Sequence, residues 1–139
     1  MKEEGISRLA EKTKAFVEAL GRREFGTVQE CFDPEVRFRA LVPPGLRNAV
    51  EASGAVEHLQ SWFGGADHFE MLRSEVESTA DKVRFRYQIR LHDENRWSVI
   101  DQSGYTKGAE RIESLDLVCS GFRPAEPPRA APSARVSSP

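Results

Sequence analysis

Lys82-Val83-Arg84-Phe85-Arg86-Tyr87-Gln88-Ile89-Arg90-Leu91-His92 alternates without a break, with Val83, Phe85, Tyr87, Ile89 and Leu91 on one parity and the basic and polar residues on the other. Successive side chains of a strand project to opposite faces of its sheet, so the segment reads as a strand with one face on a core and one in water. Runs at 68–79 and 96–106 flank it, and a fourth covers 110–122. Asp81, Asp93-Glu94-Asn95 and Lys107-Gly108-Ala109 are short turn-forming separators, which predicts neighbouring hairpins and an antiparallel meander. In the fourth run Ile112 is of opposite parity to Leu115, Leu117 and Cys119. That predicts either a bulge near Ser114 or burial on both faces.

Upstream of the meander the period changes. Ile6, Leu9, Thr13, Phe16, Val17 and Leu20 follow helical spacing, with Arg8, Glu11, Lys12, Lys14 and Glu18 opposite, and Gly21 is placed to close the helix. Phe25, Val28 and Phe32 mark a shorter second helix that ends near Asp33-Pro34. Val36, Phe38, Ala40 and Val42 then predict a strand, followed by a loop at Pro43-Pro44-Gly45. Ser53 is placed to cap a third helix carrying Val56, Leu59 and Phe63 and ending at Gly64-Gly65. The expected fold class is α+β: three N-terminal helices packed in the concave face of a curved, mostly antiparallel sheet, formed by residues 1–122. The Pro/Ala/Ser-rich remainder, 123–139, has too little apolar surface to offset its ordering entropy and is expected to be a disordered tail.

Composition excludes several classes of function. The formal charge is −2 over 139 residues, so no general field draws the chain to nucleic acid or an anionic membrane. No apolar run reaches the roughly 20 residues of a membrane span, and the N-terminus lacks a secretory segment, so a cytoplasmic location is expected. Cys31 and Cys119 are far apart and outside any metal-binding spacing, so both are expected as reduced structural thiols, with no metal and no cofactor.

The candidate chemistry centres on Asp101. Its parity is that of Trp97, Val99 and Tyr105, which predicts a carboxylate on an apolar face, where it must find a donor or take up a proton. A pocket for a small apolar or polycyclic molecule is expected around it. Phe16, Val17, Leu20, Leu59 and Phe63 would contribute from the helices, and Phe38, Phe85, Tyr87, Trp97, Val99 and Tyr105 from the strands. Asp116 is a second possible interior acid, depending on the register of the last strand. His58 and Trp62 lie one helical turn apart, and His68 and His92 sit near strand ends without metal-ligand spacing. Arg84, Arg86 and Arg90 form a basic outer stripe that could pair with Glu75 and Glu77 across a strand or across a twofold axis; a homodimer through the sheet is the expected partner.

This order of elements, with Ala15-Phe16-Val17-Glu18-Ala19-Leu20, Cys31-Phe32-Asp33-Pro34-Glu35-Val36, Ser53-Gly54-Ala55-Val56-Glu57-His58-Leu59, Val99-Ile100-Asp101 and Glu110-Arg111-Ile112, resembles the nuclear transport factor two-like, or SnoaL-like, superfamily over residues 6–122. The resemblance implies a cystatin-like cone with a cavity at its open end and frequent homodimers. Its members include steroid isomerases, polyketide cyclases, dehydratases, epoxide hydrolases and non-catalytic binders, so the fold alone selects no activity. Val99-Ile100-Asp101 looks like the ketosteroid isomerase strand that carries a protonated Asp in its oxyanion hole. Phe16 stands where that branch has its catalytic Tyr, and Arg39-Ala40-Leu41 stands near its general base, so authentic isomerase activity is not expected. The expected function is small-molecule binding in an apolar pocket, with cofactor-independent isomerase, cyclase or dehydratase chemistry at Asp101 if the protein is an enzyme. The alternatives are a ligand sensor without catalysis and a dimeric interaction module. An open pocket of at least about 300 Å³ favours a ligand, and a filled cone favours the interaction module.

Overall fold

Alternation and turn chemistry build one sheet. The computed structural model describes residues 2–129. The helices α1 (Lys2–Gly21) and α2 (Phe25–Cys31) precede β1 (Phe32–Val42) and β2 (Gly45–Ala49); α3 (Ala52–Phe63) follows, then β3 (His68–Thr79), β4 (Lys82–Asp93), β5 (Arg96–Gly108), β6 (Ile112–Cys119) and β7 (Arg123–Pro124). The strands lie in the order β2-β1-β6-β5-β4-β3, and β7 runs beside β5. Every pairing is antiparallel except that of β1 with β6. Helix α1 lies against β3, β4 and β5, and α3 lies against β1 and β2.

Local chemistry moved several expected boundaries. Phe32 opens β1 and pairs with Ile112, because Pro34 bars the second helix from continuing and favours an extended residue before it. The segment after Pro43-Pro44 is a hairpin rather than a plain loop: Gly45, at φ 144°, lets β2 turn back along β1. Glu51, with no side-chain hydrogen bond, occupies the cap position of α3, and Ser53 lies inside the helix. The bulge expected near Ser114 is present: Lys107 pairs with Ser114 and Gly108 with Ile112, leaving Glu113 as the extra residue. A second bulge, between Met71 and Arg73, shifts the parity of β3. The tail expected from residue 123 starts as β7, where Ser98 pairs with Pro124 and Val99 with Arg123, so the first residues assigned to the tail belong to the sheet. Residues 130–139 lie outside the described residues.

The register of β5 against β4 decides what faces inward. Val83 pairs with Thr106, Phe85 with Gly104, Tyr87 with Gln102, Ile89 with Ile100 and Leu91 with Ser98. Paired residues of an antiparallel ladder share a face, so the inward side of β5 carries Ile100, Gln102 and Thr106, all buried. At Gly104 the strands approach so closely that a Cβ would lie 1.8 Å from the Asp116 carbonyl oxygen. Only glycine fits there, where the long strand passes β6.

Candidate functional site

Asp101 is on the other face. Its ladder partner is Gln88, and its side chain is 46% exposed, so the carboxylate faces out from the sheet rather than into the cone. Val99, paired with Arg90, and Tyr105, paired with Arg84 and 40% exposed, share that outward face, as does Trp97, paired with His92. The inward assignment of Asp101, Trp97, Val99 and Tyr105 is therefore corrected by one residue of parity. The outward side of β5 carries Trp97, Val99 and Tyr105, whereas the inward side carries Ser98, Ile100, Gln102, Gly104 and Thr106, so alternation alone chose the wrong face. Asp101 accepts hydrogen bonds from Gln88 Nε2 at 3.1 Å and from the Arg123 guanidinium. Asp116 is also outward and is bound by Arg39 Nε at 2.6 Å.

The remaining expected wall residues do meet inside the cone, where they pack on one another. Phe16, Val17, Leu20, Phe38, Leu59, Phe63, Phe85 and Tyr87 are all buried. The Phe16 ring meets Phe32 at 5.5 Å and Phe85 edge-on at 5.9 Å, and Phe85 stacks on Tyr87 at 5.9 Å. The interior polar groups form two small networks. Thr13 Oγ1 donates to Leu9 O at 2.8 Å, so at its 2.8 Å contact with Thr106 Oγ1 it acts as acceptor. Tyr87 Oη donates to Gln102 Oε1, while Gln102 Nε2 is buried without a partner. Burial pushes the Tyr87 phenol far above its ordinary pKa, with Cys119 adding to the shift, so Tyr87 is a neutral donor and not a base.

Several clefts open among the described residues, one of about 360 Å³ beside Arg84, Tyr105, Asp116 and Val118. A groove of about 300 Å³ on the outer face is lined by Arg73, Glu75, Arg86, Gln88, Asp101 and Ser103, among others, and its rim is charged. A larger cleft of about 530 Å³ opens where the β4–β5 hairpin turns. The end of α3 gives it Ser61 and Trp62, the hairpin gives it Leu91, Asp93, Glu94, Asn95, Arg96, Trp97 and Ser98, and the chain around β7 gives it Phe122, Pro124 and Ala125. Its aromatic and aliphatic walls with a polar rim are what a small-molecule site requires; the outer groove lacks such walls. Glu94 at φ 52° and Asn95 at φ 64° make the tight two-residue turn at the rim.

The cleft walls are held from behind. Trp97 is backed by His68 and His92, each at 4.9 Å, and His92 Nδ1 meets Asp67 Oδ1 at 2.6 Å. That contact holds the Asp67 carboxyl below its ordinary pKa. The end of α3 is fixed by Arg23, which donates to Phe63 O at 3.1 Å and Ala66 O at 2.8 Å and lies over the Phe69 ring at 5.0 Å. Trp62 packs beside Phe38, Phe63 and His58. Leu91, Phe122 and Pro124 were not expected as wall residues, because Leu91 read as ordinary core, Phe122 as the end of the fourth strand run and Arg123-Pro124 as the start of a tail.

The other candidates have structural roles. His58 Nε2 lies 3.2 Å from Asn48 O, and its ring stacks on Phe38 at 5.7 Å. Cys31 and Cys119 are free and buried, and burial pushes the Cys31 thiol up. The basic stripe is neutralised within the sheet: Arg84 pairs with Glu77, Arg86 with Glu75 at 3.5 Å and Arg90 with Glu70 at 3.0 Å. No group of three or more potential metal ligands occurs among the described residues, and no described helix is long and apolar enough to cross a membrane.

No family model matches the chain, and no curated protein matches it at a significant level. Solved structures do. An LEH-like epoxide hydrolase of Mycobacterium tuberculosis is 14% identical with a TM-score of 0.63, over 82% of this chain and 84% of that one. Bal32a, from a soil-derived mobile gene cassette, is 12% identical with a TM-score of 0.71, over 84% and 92%. A protein of ketosteroid isomerase-like fold from Catenulispora acidiphila, in complex with trimethylamine, is 10% identical with a TM-score of 0.67, over 80% and 86%. The chain has the nuclear transport factor two-like cone fold.

Proposed function

We propose that the protein binds a small, largely apolar molecule in the hairpin cleft, between the α3 end of the helical layer and the sheet, and that Asp101 performs no acid or base catalysis on it. The observation that carries this reading is the cleft itself: about 530 Å³, walled by Trp62, Leu91, Trp97, Phe122 and Pro124. The cone interior is packed with its own aromatic rings, and the described core contains no buried carboxylate. With no acid beside a closed apolar site, the isomerase, cyclase and dehydratase chemistries expected of Asp101 lose their proton carrier. A ligand with an apolar body and one polar end would place its body on Trp62, Phe122 and Pro124 and its polar end at Asp93, Asn95 or Arg96.

Both tryptophans of the chain line this cleft, so intrinsic fluorescence reports its occupancy directly. Titration with 1-anilinonaphthalene-8-sulfonate, a fluorescent probe with an apolar aromatic body and one anionic end, is expected to quench tryptophan emission with saturation at one equivalent. Trp62→Ala should weaken binding at least tenfold. Binding left unchanged by Trp62→Ala places the probe elsewhere and refutes the reading.

One observation favours a second role for the sheet. Leu46, Leu41 and Val118 are ladder neighbours on β2, β1 and β6, and each is more than half exposed. An apolar row of this kind suits a sheet-to-sheet homodimer, whereas the internally paired arginines need no acidic partner. Analytical ultracentrifugation of Leu41→Glu against the unsubstituted protein tests it: dissociation supports the dimer, and a monomeric parent protein removes it.

A further inference from the structure

We propose that Asp101 is a positioning residue that acts through Arg123, latching β7 against β5 and so setting one wall of the hairpin cleft; this rests on that cleft being the binding site. The chain leaves β6 at Cys119 and crosses Ser120-Gly121-Phe122 before it rejoins the sheet as β7. The rejoined strand is short, with only the pairs Ser98–Pro124 and Val99–Arg123, and Ala125 N donates to Trp97 O at 3.1 Å. Phe122, Pro124 and Ala125 nevertheless form a whole side of the cleft. Asp101 holds this strap in two ways. Its backbone exchanges bonds with Ser120, N to Oγ at 3.0 Å and Ser120 N to Asp101 O at 2.9 Å, and its carboxylate receives the Arg123 guanidinium. The two side chains of that ion pair are about half exposed, so it is weak and sensitive to salt, as suits a wall that must open for a ligand.

Asp101→Asn isolates the latch. Asn keeps both backbone bonds and an acceptor for Gln88, and loses only the charge that holds Arg123. A strap that is closed most of the time and opens more often leaves apparent affinity nearly unchanged, but a bound molecule that departs through the opening leaves faster in proportion. Surface ion pairs of this kind shift such populations by up to about fivefold.

Two measurements separate the latch from the cleft. The first is hydrogen exchange of the Ala125 amide in ligand-free protein, where Asp101→Asn and Arg123→Gln should each speed exchange two- to fivefold, Asp101→Glu should not, and the double variant should match the singles. The second is the rate at which 1-anilinonaphthalene-8-sulfonate leaves the cleft, read by stopped-flow tryptophan fluorescence, which should rise two- to fivefold in each single variant, with the difference closing in 0.5 M salt. Unchanged exchange at Ala125, or additive effects in the double variant, overturns the latch and leaves the cleft reading standing. Faster exchange with unaltered probe release overturns the claim that the strap sets the cleft wall. Absence of probe binding by the unsubstituted protein overturns the cleft and, with it, the role assigned to Asp101.

Discussion

Replacing the buried Tyr87–Gln102 pair should expose the cost of an unpaired amide inside the cone. Gln102 is 1% exposed and Tyr87 2% exposed, the phenol donates to Gln102 Oε1, and Gln102 Nε2 has no partner. Tyr87→Phe strands the entire amide and should destabilise by about 1–3 kcal/mol. Gln102→Leu removes the unpaired donor but strands the phenol, so its two effects oppose each other and the net change should stay within about 1 kcal/mol. Tyr87→Phe with Gln102→Leu leaves no polar group to satisfy and should be more stable than the parent by about 1–2 kcal/mol. The resulting coupling, about 3 kcal/mol, is large for a single contact. Urea unfolding followed by far-ultraviolet circular dichroism, with the slope unchanged across the four proteins, measures it. A double variant less stable than Gln102→Leu alone would show that the phenol has another partner, and a neutral Tyr87→Phe would show that the amide has one; either would refute the reasoning.

Gly104→Ala should cost about 3 kcal/mol or more, or abolish folding, since its Cβ would stand 1.8 Å from a backbone oxygen of β6; soluble yield and urea midpoint report it. Ala80, at φ 49° in the β3–β4 turn, sits in a conformation that favours glycine, so Ala80→Gly should raise the melting temperature by about 1–4 °C, through about 0.5–1 kcal/mol net of glycine's entropy cost. Asp67 should titrate below the ordinary carboxylate range by carboxyl NMR and return to it in His92→Phe, because the hydrogen bond from His92 is the largest cause of its lowered pKa. As a depressed acid, Asp67 contributes stability that is present above its unfolded pKa of about 3.9 and lost as pH falls through the lower folded value; an Asp67→Asn variant should lack that acid-side loss.

The strands were legible because β4 is unambiguous: five apolar residues alternate with charge, and no other register would bury them. The parity conflict around Ser114 left a bulge or burial on both faces open, and the β5–β6 ladder contains the bulge. β5 was not legible by the same rule. Trp97, Val99 and Tyr105 form a more apolar face than Ser98, Ile100, Gln102 and Thr106, and only pairing with β4, a nonlocal fact, shows that the more polar face is the buried one. Asp101 was thus placed inside by one residue of slip. The error carried further, because an interior Asp101 implied acid chemistry, whereas the observed one binds Arg123. The hairpin cleft escaped notice because it is assembled from the end of a helix, a turn and a segment with the composition of a tail, none of which carries a periodic signal. Arg23 was equally silent: a lone arginine after a helix gives no hint that it caps a different one.

The claim that the ligand site is the hairpin cleft and not the cone interior is tested most directly by mapping amide and indole shifts of isotope-labelled protein during titration with 1-anilinonaphthalene-8-sulfonate. The expected result is perturbation concentrated at the indole N–H groups of Trp62 and Trp97 and the amides of Ser98 and Ala125. Perturbation centred instead on Phe16, Phe38, Phe85 and Tyr87, with the cleft signals unmoved, would contradict it.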